Sequence, residues 1–115
     1  MAASELQRLV EVMDRLRSPG GCPWDAEQTH ESLIKYLLEE SYEFIDSVDA
    51  KDRQGMREEL GDVLLQVYFH ARMAQDHPTN PFSIEDMMKD NELTNKQLLY
   101  LQIHYSILCL KIRVE

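Results

Sequence analysis

Glu40 and Glu43 stand three residues apart in this 115-residue chain, and Glu59 and Asp62 repeat that spacing further on. On a helix, side chains three apart project from one face. If the two segments are antiparallel neighbours, both pairs open onto one space, and residues 44–58 leave room for the turns and the reversal this requires. Four carboxylates meeting between helices repel one another unless cations sit among them. Hard oxygen ligands on rigid helices suit Mg²⁺, with Mn²⁺ as a substitute, and leave coordination positions for water and phosphate oxygens. Both pairs adjoin apolar helix positions: Leu37, Leu38 and Tyr42 around the first, Leu60 and Val63 around the second. E-x-x-E and E-x-x-D fragments are common by chance, so a solvated acidic face stays open as the alternative.

The charge balance fits either reading. Lys and Arg number 12 against 21 Asp and Glu, a formal net charge of -9. Between Glu39 and Asp62 nine acidic residues face only Lys51, Arg53 and Arg57, so six of the nine excess charges fall in one window. An acidic surplus argues against nucleic acid as a partner, since such proteins concentrate Lys and Arg. The longest apolar runs have four residues (Leu98–Leu101 and Ile107–Leu110), against the ~20 of a membrane-spanning helix. The first 30 residues lack the apolar block of a secretory signal. Two cysteines, Cys22 and Cys109, build neither a disulfide framework nor a zinc cluster. The expectation is a cytoplasmic protein without a membrane partner. At this length it forms one domain with a modest core, which a homodimer or higher homo-oligomer would enlarge.

The elements that must position the acids read as helices. Leu6, Leu9, Val10, Met13 and Leu16 give an amphipathic helix over 4–16, with Ser4 as N-cap. Residues 18–23 contain two prolines and two glycines and break it. A second helix is predicted from about Glu27 to Val48, capped by Asp25 or Thr29, with an apolar stripe of Leu33, Ile34, Leu37, Leu38, Tyr42, Ile45 and Val48. After a turn at 49–52, a third runs to about Gln75 and buries Leu60, Val63, Leu64, Val67 and Ala71 beside Tyr68. Gly61 inside it costs ~1 kcal/mol relative to Ala, so a close backbone approach or packed neighbour is expected there. His77 to Pro81 end that helix, and Ser83 with Glu85 and Asp86 opens another. Residues 98–115 fit both a strand and a helix, and context favours helix. The fold class is all-α, an antiparallel four-helix-type bundle.

Other residues admit two uses each. Trp24 in the Pro/Gly-rich loop could stack on a nucleobase or anchor the loop as an apolar lid. Lys35 and Arg72 could reach phosphates, or pair on the surface with Glu31 and Asp76. Glu27 and His30 form one E-x-x-H, but a di-iron bundle needs two such motifs plus two further Glu residues. His30, His70, His77 and His104 share no metal-ligand spacing, and Cys22 lacks the partners of a nucleophile. The methionines read as gap-filling core or interface residues.

Taken together, Gly21-Cys22-Pro23-Trp24-Asp25, Gln28-Thr29-His30, Leu38-Glu39-Glu40-Ser41-Tyr42-Glu43 and Glu58-Glu59-Leu60-Gly61-Asp62-Val63-Leu64-Leu65-Gln66-Val67 resemble the MazG family of nucleoside triphosphate pyrophosphohydrolases. The resemblance covers roughly residues 5–86, leaving an atypical tail at 87–115 within a single MazG-like domain. It implies an all-α bundle and Mg²⁺ bound by Glu40, Glu43, Glu59 and Asp62. It further implies hydrolysis of NTP or dNTP to the nucleoside monophosphate and pyrophosphate, clearing unwanted nucleotides. Two Mg²⁺ would offset the charge of the triphosphate and activate water. Glu39 matches an acid that assists the metal or the attacking water, aimed about 100° around the helix from Glu40. The chain departs from the family after Asp86, where a Lys-Leu-x-Arg-Arg-His-Pro-His stretch is usual and Met87 to Gln97 stand instead; Lys89 and Lys96 are the nearest cations. That departure supports a second reading, a catalytically weak metal- and nucleotide-binding module acting in sensing or assembly.

Overall fold

A computed structural model describes residues 3–90, 102–104, 106 and 107. It divides into two compact units, Met1–Ile84 and Glu85–Glu115. Every regular element among the described residues is helical, in line with the all-α expectation.

In the first unit the helices are α1 (Glu5–Arg17), α2 (Pro23–Glu27), α3 (His30–Asp49) and α4 (Arg53–Ala74). The Ser4 hydroxyl caps α1 by accepting from the Gln7 amide at 3.1 Å. Between α1 and α2 the chain turns through Gly20 at φ +85° and Gly21, where an added Cβ would collide with the Arg15 carbonyl oxygen. The stretch predicted to begin one helix near Glu27 is instead two, α2 and α3, parted at Gln28 and Thr29. The cause is a reciprocal cap: Ser32 N–H donates to the Thr29 hydroxyl at 3.1 Å, and Thr29 N–H to the Ser32 hydroxyl at 2.9 Å. Both bonds satisfy backbone donors that a helix start leaves open. Asp52 caps α4 by accepting from the Gly55 amide, following a reversal in which Lys51 adopts φ +57°.

Helices α3 and α4 form the main contact of the unit, and α1 packs on α4 and α2. The start of α3 meets the end of α4, so the pair is antiparallel. The core gathers at that end, from Met13 of α1, Leu33 of α3, and Phe69 and Met73 of α4, with Tyr36 against it. This corrects the predicted stripes. On α4 the buried residues are Tyr68, Phe69, Ala71, Met73 and Ala74, while Leu60 and Leu64 are exposed. On α3 Leu33 is buried, but Ile34, Leu38, Tyr42, Ile45 and Val48 lie open. Both helices thus carry apolar side chains open to solvent along their predicted stripes. Gly61 also departs from expectation, because an added Cβ would meet nothing within 4 Å.

Helix α5 (Ile84–Asp90) starts at the last residue of the first unit and otherwise belongs to the second, with Glu85 and Asp86 in its first turn. Residues 102–104, 106 and 107 are helical, as context suggested. Lys96, Cys109 and the rest of the tail lie outside the described residues.

Candidate metal centre

The antiparallel pairing of α3 and α4 brings their carboxylates together. Single oxygens of Glu40, Glu43 and Glu59 all lie within 4.8 Å of one another. One oxygen of Glu40 and one of Glu59 are buried and have no hydrogen-bond partner among the described residues. Buried acceptors are normally satisfied, so both oxygens are poised for a ligand.

Electrostatics point the same way. The Glu40 carboxyl is held above the ordinary glutamate value of 4.5, first by desolvation, then by the charge of Glu43 and Asp62, hydrogen bonding to Glu43, and the charge of Glu59. Glu59 is raised likewise, by desolvation, by hydrogen bonding to Glu43 and its charge, and by Asp62 and Glu58. Asp62 is exposed and stands outside the three-oxygen group, yet its charge acts on Glu40 and Glu59. Crowded acids that resist ionisation fit a hard divalent cation, whose charge reverses the repulsion.

The remaining sequence candidates fall in three places. Glu39 is exposed and lies outside the converging oxygens. Trp24 and Lys35 meet at Tyr36: the indole packs edge-to-face at 6.1 Å and 73°, and the Lys35 ammonium sits over the ring at 5.0 Å. The pairing of Lys35 with Glu31 does not form among the described residues; its charge uses the ring face. Arg72 donates to Asp14 from Nε and to Asp76 from a terminal nitrogen, each at 2.9 Å. The sequence suggested Asp76 but not Asp14, 58 residues away. With both acids engaged, Arg72 ties α1 to the end of α4.

Sequence reasoning missed several supports. Tyr36 lies one turn before Glu40 on the same face of α3, the relationship that makes i,i+4 pairs neighbours. Arg17 is largely buried; it donates to the carbonyls of Asp25 at 2.6 Å and Gln28 at 3.3 Å and lies over the Phe69 ring, pinning α2 to the bundle. His30 and His70 stack with ring centroids 5.0 Å apart, although nothing in their separation suggested contact. The E-x-x-H count could not find a pair formed across two helices.

The family model of the MazG nucleotide pyrophosphohydrolase domain matches residues 28–96, more than half of the chain. This chain belongs to the MazG family. The matched segment contains all four candidate ligands. A Thermotoga maritima nucleoside triphosphate pyrophosphohydrolase/pyrophosphatase MazG is 54% identical over 83 residues, 72% of this chain and 32% of that protein. A Mycolicibacterium smegmatis nucleoside triphosphate pyrophosphohydrolase is 57% identical over 70% of this chain and 25% of its own length. The Escherichia coli K12 protein of the same name is 49% identical over 64% and 28%. The chain thus spans a quarter to a third of these MazG-type relatives.

Proposed function

We propose that this chain is a divalent-metal-dependent nucleoside triphosphate pyrophosphohydrolase, with Mg²⁺ as the working ion and Mn²⁺ as a substitute. The observation that carries the reading is the convergence of Glu40, Glu43 and Glu59 oxygens within 4.8 Å, inside the matched MazG segment. Glu40, Glu43, Glu59 and Asp62 would hold the metal. When bound, it supplies charge neutralisation and polarisation of phosphoryl oxygens.

The protein's own groups do the rest. Glu39, exposed one residue before Glu40, orients the attacking water and accepts its proton. Water adds across the α–β phosphoanhydride of an NTP or dNTP, the bond to the bridging oxygen breaks, and nucleoside monophosphate and pyrophosphate leave. Trp24, beside Tyr36 one turn from Glu40, offers an aromatic face to the base, and Lys35 a cation to the phosphates. Clearing unwanted nucleotides in the cytoplasm is the role that suits this chemistry. Among the described residues, no helix is long and apolar enough to cross a membrane.

A homodimer or higher homo-oligomer accompanies the activity. Ile34, Leu38, Tyr42, Ile45, Leu60 and Leu64 are all at least 38% exposed. Exposed apolar side chains recurring along both helices suit a protein–protein contact, and a second copy of the chain presents the matching face.

The test is pyrophosphate release from a panel of NTPs and dNTPs with Mg²⁺ or Mn²⁺. Glu40→Ala or Asp62→Ala lowers kcat/KM at least about 100-fold, since even outer-shell losses around a metal cost 10–100-fold. Release from no nucleotide overturns the reading. A second reading, nucleotide binding without turnover, rests on the commitment of Arg72 to Asp14 and Asp76, which removes one candidate phosphate cation. Metal-dependent nucleotide binding without pyrophosphate release would select it.

A further inference from the structure

Beyond the carboxylates, the α3–α4 seam continues in polar groups that the hydrolytic reading does not use. Glu59, Asp62, Gln66 and His70 follow one another at intervals of three, four and four residues, one continuous face of α4. That face touches α3 at two points: Glu59 among Glu40 and Glu43, and His70 at His30, where the Nδ1 atoms are 2.7 Å apart. Gln66 therefore lies on the seam between two fixed contacts, about 6 Å along the helix from Asp62 and again from His70.

Gln66 Oε1 and His70 Nε2 are buried, and neither has a hydrogen-bond partner among the described residues. Together with the Glu40 and Glu59 oxygens they account for four of the five such atoms found there, and all four lie on this seam. A buried polar atom without a partner demands one. The amide oxygen is an acceptor. When His70 supplies the single proton of the His30–His70 contact from Nδ1, its Nε2 carries a lone pair and is an acceptor too. In that tautomer both groups ask for a donor, and Gln66 Oε1 does so in either.

We propose that Gln66 and His70 form a hydrogen-bond-accepting subsite that receives a donor group of the bound nucleotide and sets its specificity. This rests on the pyrophosphohydrolase reading, since the carboxylates at one end of the seam fix the phosphates and direct the nucleoside along it. Suitable donors on a nucleotide are the sugar hydroxyls, the exocyclic amines of cytosine and adenine, and the ring N–H of uracil and hypoxanthine. A site built to bond a donor rejects the analogue that lacks it far more strongly than an apolar pocket rejects an extra group.

The experiment compares kcat/KM for CTP with UTP, for ATP with ITP, and for each NTP with its dNTP, in the wild-type chain and in Gln66→Met and His70→Phe. The wild type favours the member whose donor reaches the subsite in at least one pairing by about tenfold, the scale of one well-made hydrogen bond. Loss of that preference in Gln66→Met, with the others unchanged, supports the subsite. A preference for CTP or ATP identifies the exocyclic amine as the donor, a preference for UTP or ITP the ring N–H, and the NTP–dNTP pairing identifies the sugar. A ratio is read within each variant, so partial loss of folded protein does not disturb it. A uniform fall in kcat/KM with every ratio preserved overturns the proposal, as does a wild type without any preference. If the wild type releases no pyrophosphate, the hydrolytic reading has failed by itself. The same ratios are then read from calorimetric binding of α,β-methylene triphosphates, where a Gln66-dependent preference upholds the subsite and its absence overturns it.

Discussion

The Nδ1 atoms of His30 and His70 lie 2.7 Å apart across the α3–α4 seam, with the ring planes 14° from parallel. At that distance one Nδ1 donates to the other, since hydrogens on both would set two N–H groups against each other. His70 is accordingly held below the ordinary histidine value of 6.5, by burial first and by the charge of His30 second. The folded chain therefore binds fewer protons than the unfolded one between pH 6.5 and the lowered value, and stability falls on acidification through that window. Thermal melts from pH 7.5 to 5 at fixed ionic strength should show the decline starting near 6.5. In His70→Gln the slope flattens; an unchanged slope would assign the decline to other groups.

The carboxylate cluster predicts opposite effects of one substitution on stability and on metal binding. Without metal, Glu40, Glu43 and Glu59 repel one another, and the raised values of Glu40 and Glu59 mean that stability falls as pH rises above 4.5. Glu40→Gln removes one charge, so its Tm in chelator at pH 7 should exceed that of the wild type. Adding Mg²⁺ should raise the wild-type Tm, with stabilisation approaching about 2.7 kcal/mol at a hundredfold excess over Kd. The variant should gain little. Equal gains in both chains would remove Glu40 from the metal site.

Much of this site is legible in the sequence because it rests on local rules. Three-residue spacing puts Glu40 with Glu43 and Glu59 with Asp62, and Thr29, one of the two caps offered for the first of these helices, is the one the fold uses. What escaped depends on contacts between distant residues. Arg72 with Asp14 and His30 with His70 are separated by 58 and 40 residues, and helix periodicity holds no information about either. Periodicity also identified apolar stripes without telling which face is covered. Leu60 and Leu64 obey the helical pattern of a core and are exposed, since pattern alone does not distinguish burial within a chain from burial between chains.

By sequence Arg72 admits a phosphate contact or an ion pair with Asp76, and in the fold it is a tether that uses Asp76 and Asp14. Its side chain is 15% exposed, while Asp14 and Asp76 are more than half exposed. Arg72→Met should lower stability by about 1 kcal/mol, the value of well-oriented but solvent-screened ion pairs. Denaturant melts would register this as a lower midpoint. KM for the nucleotide should stay within twofold of the wild type. A tenfold rise in KM with unchanged stability would return the residue to the phosphates.

Gly61 sits among Leu60, Leu64 and Leu65, on a stretch of α4 where those three side chains are 51%, 38% and 39% exposed. Among the described residues nothing approaches it, for an added Cβ would meet no atom within 4 Å. A helix-interior glycine that costs ~1 kcal/mol without an intramolecular neighbour is accounted for if a second copy packs there. A stable contact of that kind needs about 600–1,000 Å² from each partner, and the open leucines of α4 with Ile34, Leu38 and Ile45 of α3 supply apolar area for it. Gly61→Leu should then shift sedimentation toward the monomer while leaving helical content by circular dichroism unchanged. Gly61→Ala is the sharper probe. With the face open to water it stabilises by up to ~1 kcal/mol, and with a partner helix pressed against it the added methyl weakens association. A more stable chain whose oligomeric state does not change would leave this face uncovered.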